Sequence, residues 1–192
     1  RRPVALRNCE GSKRHADVRI AIGDAWPNYF NEAAADGDKL RQSLGEKIAE
    51  FGNAENESRG IEIGYGYTNS PIIFREAGDE LQDNPLQYKP TTTPGYRPPA
   101  LYLVDGSPLF DLFGPRFTLL NFAPDDIDTE VFQIKAESIG IPFRSVKIRD
   151  DNAKSLYLFN LVLIRPDHHV AWRGIAMPTD VTNILKTVTG NL

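Results

Sequence analysis

Apolar side chains recur every three or four residues in three stretches of this chain, and this spacing predicts three amphipathic helices. The first runs from Asp38 to Phe51, the second from Asp126 to Ile139, and the third from Thr179 to Gly190. Thr179 can cap the last helix, and Gly190 can adopt the left-handed conformation that ends many helices. The predicted buried positions are Leu40, Leu44, Ile48, Phe51, Ile127, Val131, Ile134, Val181, Ile184, Leu185 and Val188.

Shorter apolar runs predict strands. Residues 60–68 alternate between apolar and polar side chains, which is typical of a strand with one buried face. Residues 117–120 are apolar apart from Thr118, so we expect a strand that is covered on both faces in the middle of a sheet. Three further strands are predicted at Phe143 to Ile148, Leu161 to Ile164 and Val170 to Trp172.

Turn residues separate these runs. Asp105-Gly106 predicts a hairpin between two short strands that precede Phe117, because this pair accepts the positive φ of a tight turn. Asp150-Asp151-Asn152 and Arg165-Pro166-Asp167 predict two more turns. Between Arg75 and Ala100 prolines recur without any helical or strand period, which predicts a stiff, extended strap across a surface.

These elements predict three regions: a helical segment in residues 1–59, a strand and Pro-rich strap in 60–100, and an α/β domain in 101–192. In the α/β domain a helix joins two strands, and a hairpin and a terminal helix follow. That order is the skeleton of the thioredoxin-like fold, a central mixed sheet flanked by helices. A thioredoxin would carry its redox cysteines after the Phe117–Leu120 strand. Here Ala123-Pro124-Asp125-Asp126 follows it, which excludes thiol chemistry.

Composition removes several classes of function. The 192 residues carry a formal net charge of -4, so we expect neither nucleic acid nor an anionic membrane surface as a partner. No apolar run approaches the roughly 20 residues of a membrane span. Cys9 is the only cysteine, which excludes an internal disulfide and fits a reducing, cytoplasmic setting. The only methionine is Met177, so we expect the chain to be part of a longer protein.

Two adjacent histidines next to Asp167 have the composition of a metal site. Neighbouring residues on a strand point to opposite faces, so His168 and His169 cannot easily reach one ion. The sequence therefore favours a turn histidine and a second histidine packed in the hairpin. His15, the remaining histidine, has no ligand partner nearby in the sequence.

Asp125, Asp126 and Asp128 could form an acid/base site, but at a predicted helix start we interpret them as cap and dipole partners. No Gly-x-Ser-x-Gly elbow exposes a serine for a Ser-His-Asp triad. The basic residues among positions 1–20 could bind phosphate, although a solvated helix face is the favoured interpretation.

Two features remain in the tyrosine-rich segment. The run beginning Gly64-Tyr65-Gly66 lacks the third glycine and the following helix of a dinucleotide-binding loop. Tyr65, Tyr67 and Tyr102 are predicted to be core-face aromatics. The sequence thus predicts no catalytic, cofactor-binding or metal site in this chain.

Five stretches, in order along the chain, resemble the FAD-dependent aromatic-ring hydroxylases of the phenol and dichlorophenol hydroxylase group. They are Arg1 to Ala5 (RRPVA), Ile61 to Tyr67 (IEIGYGY), Tyr88 to Pro99 (YKPTTTPGYRPP), Leu112 to Leu120 (LFGPRFTLL) and Ile164 to Arg173 (IRPDHHVAWR). Gly66 and Ala100 stand where that family usually has arginine and histidine.

The resemblance implies a parent enzyme that binds FAD, is reduced by NAD(P)H and hydroxylates a phenol with O2. It places the flavin-binding machinery before Arg1 and gives this region a structural role, including subunit contacts. We therefore expect a C-terminal structural and dimerisation region with no cofactor of its own, whose partners are the FAD-binding region and a second copy. The alternative is a free-standing thioredoxin-like interaction module without redox activity.

Overall fold

The computed structural model of the chain describes residues 59–67, 69–75, 84 and 87–191, together with single helical residues further towards the N-terminus. The latter are residues 5, 6, 9, 10, 12, 13, 16, 17, 20, 37–39, 41–43, 45, 46 and 49. The elements are α1 (Arg59–Glu62), a 3-10 helix (Leu109–Leu112), β1 (Phe117–Asn121), α2 (Glu130–Ser138), β2 (Phe143–Lys147), α3 (Asp151–Tyr157), β3 (Leu161–Ile164), β4 (Val170–Gly174) and α4 (Val181–Thr189). In this part of the chain no helix is long and apolar enough to cross a bilayer.

The chain divides into two compact units: residues 1–63 with 84–88, and residues 64–83 with 89–192. In the first unit every described residue between 5 and 49 is helical, in agreement with the predicted N-terminal helices. Arg41 pairs with Asp38, and Gln42 donates to Glu46 at 3.2 Å, which are contacts between successive helical turns. The predicted buried positions Leu40, Leu44, Ile48 and Phe51 lie outside the described residues.

The strand predicted for residues 60–68 is wrong. Residues 59–62 form the short helix α1, and only Gly66 makes a strand-like bridge, to Tyr96. A Cβ at Gly66 would lie 2.6 Å from the Tyr96 ring, so the glycine serves close packing against that ring. The alternation of apolar and polar residues in 60–68 therefore does not mark a half-buried strand. The glycine at position 66 makes room for the Tyr96 ring.

A four-stranded mixed sheet forms the centre of the second unit, with the order β2-β1-β3-β4. β1 is parallel to β2 and antiparallel to β3, and β3 is antiparallel to β4. β1 and β3 are buried almost throughout, as their continuous apolar runs predicted. The α/β class is confirmed, and the thioredoxin-like assignment stays a prediction.

Two hydrophobic clusters fill the two faces of this sheet. On one face, Leu119 and Leu163 pack with Phe132 of α2 and with the buried stripe of α4. On the other face, Leu120 and Val162 pack with the 3-10 helix and α3. The stripe of α4 consists of Val181, Ile184, Leu185 and Val188, as predicted. The helix ends at Gly190 with φ of 76°, also as predicted, but its N-cap is Asp180 instead of Thr179.

The second predicted helix begins later than expected. Residues 124–126 form a turn, the Asp128 carboxylate accepts the backbone N–H of Glu130 at 2.9 Å, and α2 starts at Glu130. Phe132 and Ala136 then face the sheet, while Val131 and Ile134 are 47% and 54% exposed. The predicted buried stripe was therefore wrong for Val131 and Ile134, and Ile127 is only partly buried.

Two further predictions need correction around Asp150. This side chain caps α3 by accepting the N–H of Ala153 at 2.8 Å, so a helix follows the position where only a turn was predicted. Its second oxygen accepts the N–H of Val104 at 2.8 Å. The predicted Asp105-Gly106 turn is present, with Gly106 at φ of 81°, but the flanking strands reduce to one bridge between Tyr102 and Pro108.

The strap closes one edge of the sheet. Gly95 N–H donates to the Val170 carbonyl at 2.7 Å, and Val170 N–H donates to the Tyr96 carbonyl at 2.9 Å. Phe74 N–H donates to the carbonyl of Ala171 at 3.0 Å. These bonds satisfy backbone groups that an open β4 edge would present to other chains.

A second set of bonds ties the strap to α3. The hydroxyl of Tyr157, which is fully buried, donates to the Pro99 carbonyl at 2.8 Å. The Tyr157 carbonyl accepts from the Thr92 hydroxyl at 3.0 Å. Thr92 also accepts from the Arg173 guanidinium of β4 at 3.3 Å. Residues 89–100 of the proline-rich segment are therefore extended, as predicted, and form an integral part of the second unit.

Replacement of Gly95 by alanine should weaken this closure. Gly95 has φ of 95°, and a Cβ there would lie 3.3 Å from the Tyr67 backbone. Gly106→Ala is the matched control, because its φ is 81° but no atom lies within 4 Å of the added carbon. We expect Gly106→Ala to cost about 1 kcal/mol of unfolding free energy and Gly95→Ala about 2 kcal/mol or more. Urea unfolding followed by circular dichroism measures both, and equal losses would contradict a tight strap.

Candidate functional site

A cleft of about 600 Å³ opens where the parallel strands β1 and β2 end. Residues 122–126, which follow β1, and residues 148–152, which follow β2, form most of its lining. In open α/β sheets the space beyond the carboxyl ends of parallel strands is the usual place for a ligand. This is also the position at which a thioredoxin would carry its cysteines.

Among the four aspartates that line this cleft, Asp125 and Asp150 make structural contacts; the other two are Asp126 and Asp151. Asp125 pairs with Arg149 at 2.6 Å, and this hydrogen bond, followed by the arginine's charge, lowers the pKa of the Asp125 carboxyl. Both oxygens of Asp150 accept backbone N–H groups. Asp128 accepts the N–H of Glu130 just before α2, but the N-cap of this helix is Thr129, which makes no side-chain capping bond, so the predicted cap was wrong.

The two histidines contact different groups of side chains, as predicted. His168 lies in the turn with φ of 63°, and its ring meets Phe113 edge-on at 5.5 Å between centroids. Burial first, and the positive charge of Arg97 second, lowers the pKa of His168. His169 is 3% exposed, and its ring lies 4.8 Å from that of Tyr67 and 5.5 Å from that of Tyr65.

Asp167 fixes the geometry of this turn. It forms two hydrogen bonds with the Arg165 guanidinium, both at 3.1 Å, and it accepts the backbone N–H of His169 at 3.3 Å. The His169 Nδ1 atom lies 3.0 Å from the Asp167 carbonyl oxygen. Partial burial raises the pKa of the Asp167 carboxyl, but the His169 hydrogen bond and the Arg165 charge outweigh it and hold that pKa well below its ordinary value.

Other candidates also lie in structural positions. Tyr65 and Tyr67 pack edge to face at 5.7 Å, as core-face aromatics do, but Tyr102 is 74% exposed and the prediction for it was wrong. Tyr102 lies at the single bridge before the Asp105 turn, where no second layer covers it. Cys9 is exposed, and His15 lies outside the described residues. Within residues 59–67, 69–75, 84 and 87–191 and the described helical positions, no group of three potential ligands could hold a metal ion.

The sequence missed two polar features. Tyr157 bonds to the strap through both its hydroxyl and its carbonyl, and the helix α3 that carries it was not predicted from the sequence. Arg144 and Thr118 occupy paired positions on β2 and β1, and each has a buried polar atom without a partner among the described residues. Only the strand register brings these two residues together.

Comparison with known proteins gives a consistent family. Residues 91–191 match the family described as aromatic-ring hydroxylase, C-terminal. The FAD-dependent monooxygenase opdD of Penicillium oxalicum is 30% identical over 100% of this chain and 38% of its own length. Phenol 2-monooxygenase of a Pseudomonas species is 27% identical over 78% of this chain and 26% of its own length. This chain therefore spans well under half of these curated relatives.

Solved structures agree with the fold. The rebeccamycin biosynthetic enzyme RebC, with bound 7-carboxy-K252c, is 28% identical and superposes with a TM-score of 0.84. The match covers 100% of this chain and 35% of RebC. The flavin-dependent monooxygenase PieE superposes with a TM-score of 0.83 over 99% of this chain and 38% of its own. At 22% identity, PieE supports the fold alone.

Substitution of Asp167 should change how stability depends on pH. Because the folded pKa lies below the ordinary aspartate value of 3.8, the carboxylate stabilises the fold above that pH and loses this effect as the pH falls below it. We expect Asp167→Asn to be less stable than the wild type at pH 7, and the gap to narrow below about pH 4. Urea unfolding at several pH values measures this, with exposed Asp111→Asn as control. A gap that stays constant with pH would contradict the assignment.

Proposed function

The chain belongs to the aromatic-ring hydroxylase C-terminal family, and from this we propose that it is the non-catalytic C-terminal region of an FAD-dependent, phenol-type monooxygenase. The observation that carries the proposal is the family match over residues 91–191, which spans the strap and the whole sheet domain. FAD, NAD(P)H and the hydroxylation of a phenol with O2 belong, in this proposal, to a region outside these 192 residues. The parent acts in a reducing, cytoplasmic compartment.

The candidate sites support a structural role. At the carboxyl ends of β1 and β2, Asp150 bonds to two backbone N–H groups and Asp125 bonds to Arg149. Asp167 bonds to Arg165 and to the N–H of His169 in the turn between β3 and β4. These contacts hold loops of the fold in place, which supports a structural role. The partner in this proposal is the FAD-binding region of the same enzyme.

Self-association is the second part of the proposed role. Val131 and Ile134 lie three residues apart on α2 and are 47% and 54% exposed, so they form an apolar strip on the outer side of the helix. Exposed apolar side chains that neighbour one another on a helix favour helix-to-helix contact between protein subunits. We assign this strip to contact with a second copy of the chain, in keeping with homo-oligomer formation.

The catalytic part of the proposal predicts a colourless protein. After incubation with FAD and removal of free cofactor, the purified 192-residue chain should retain no visible flavin absorbance. It should also oxidise neither NADH nor NADPH when phenol is added. Full-length phenol 2-monooxygenase is the positive control. Stoichiometric FAD retained by this chain would overturn the non-catalytic assignment.

The dimerisation part is tested by Ile134→Glu. A carboxylate in a helix-to-helix contact loses hydration without gaining a partner, so the association should weaken at least tenfold. Ile175→Glu is the control, because Ile175 is 68% exposed and lies outside α2. Sedimentation equilibrium measures the association constant. A wild-type monomer without FAD binding would favour the alternative, a free-standing interaction module.

A further inference from the structure

Two arginines converge on one small space beside Gly114. Measured from the position that a Cβ of residue 114 would occupy, the Arg116 Nε atom lies at 3.7 Å and the Arg144 Nη2 atom at 4.0 Å. Gly114 has no side chain, so the guanidinium groups face a space that the backbone borders but does not fill. Arg116 is exposed and Arg144 is half-buried, which leaves the space open to solvent on one side.

The charges in this space are not neutralised by the described part of the chain. Among the described residues, no carboxylate lies within ion-pair distance of Arg116 or Arg144, and neither guanidinium makes a hydrogen bond. The two guanidinium groups carry like charges, which repel each other. By contrast, Arg149 and Arg165 each have an aspartate partner. Arg116 and Arg144 therefore differ from Arg149 and Arg165, each of which forms an ion pair.

Two buried polar atoms lie on the paired strands next to this space. Among the described residues, neither the Nε atom of Arg144 nor the hydroxyl of Thr118 has a hydrogen-bond partner. Thr118 is fully buried and pairs with Arg144 across β1 and β2, so the two side chains lie next to each other on one face of the sheet. Buried polar groups nearly always have partners, so two adjacent exceptions require an explanation.

We propose that Arg116, Arg144 and Thr118 form a binding site for an oxyanion, namely a carboxylate or phosphate group. A guanidinium presents several N–H donors in a plane and matches such groups in geometry as well as charge. The Thr118 hydroxyl supplies one further donor from the floor of the site. A water molecule alone would satisfy Thr118 and Arg144 Nε, but it would leave two neighbouring positive charges uncompensated. This inference does not depend on the activity of the parent enzyme.

Anion titrations of the 192-residue chain test the site. Inorganic phosphate and acetate are added separately while chloride holds the ionic strength constant, and melting temperature and heat of binding are recorded. At an anion concentration ten times the dissociation constant, the melting temperature should rise by about 3–6 °C. A response to phosphate identifies a phosphate-binding site, and a response to acetate identifies a carboxylate-binding site. No response to either anion overturns the proposal.

Substitutions distinguish a specific site from general charge screening. Arg144→Gln should weaken binding of the responding anion at least tenfold. Lys147→Gln is the matched control, since it removes one positive charge from the same strand but alternates to the other face of the sheet. Equal anion responses in the wild type and Arg144→Gln would overturn the proposal.

Thr118→Val and Gly114→Val keep both arginines. They therefore test the binding site even if Arg144→Gln fails to fold. Thr118→Val removes an unpartnered buried hydroxyl, so the chain in chloride alone should be as stable as the wild type or more stable. It should nevertheless bind the anion several-fold more weakly. Gly114→Val should abolish binding, because its methyl groups fill the space between the arginines. Unchanged binding in both variants would contradict the assigned position of the ligand.

Discussion

The hydrogen bonds between the strap and Val170 are the interaction on which the rest of the sheet domain depends. β4 is an edge strand, and its free backbone groups would otherwise be open to pairing with other chains. Gly95 and Tyr96 occupy those groups, and the strap is in turn fixed to α3 by Tyr157 and Thr92. Proline has no backbone N–H group to donate. A proline-rich segment can nevertheless complete the sheet, because only the few N–H groups that face β4 are needed for pairing.

Continuous burial explains which elements could be predicted from the sequence. β1 and β3 are buried on both faces, so their apolar runs are unbroken, and α4 has a full apolar stripe followed by a glycine stop. The start of α2 was predicted too early because a turn and irregular backbone occupy residues 124–129, and Phe132 and Ala136, not Val131 and Ile134, are its buried residues. The strand at residues 60–68 was predicted wrongly because a glycine that packs against an aromatic ring, as Gly66 does, cannot be told from a strand glycine by sequence pattern.

The candidate sites divide in the same way. The separate packing of His168 and His169 could be predicted from the local sequence, although both residues precede β4 and His168 lies in the turn with φ of 63°, so strand alternation is not its cause. The neighbourhood of Arg116, Arg144 and Thr118 could not, because it depends on the register between β1 and β2 and on the path of the chain at Gly114. Long-range pairing leaves no trace in the spacing of residues along one strand.

The pairing of the strap with β4 also determines when this domain can fold during synthesis. The strap leaves the ribosome before any strand of the sheet, whereas Val170, its partner, is made only after β1, β2 and β3. Contacts between such distant parts of a chain form slowly, because the closure of a long loop must precede them. Until β4 emerges, the buried threonines and the tyrosine of the strap have no strand to pack against, so the nascent chain depends on β4 for protection against misassociation.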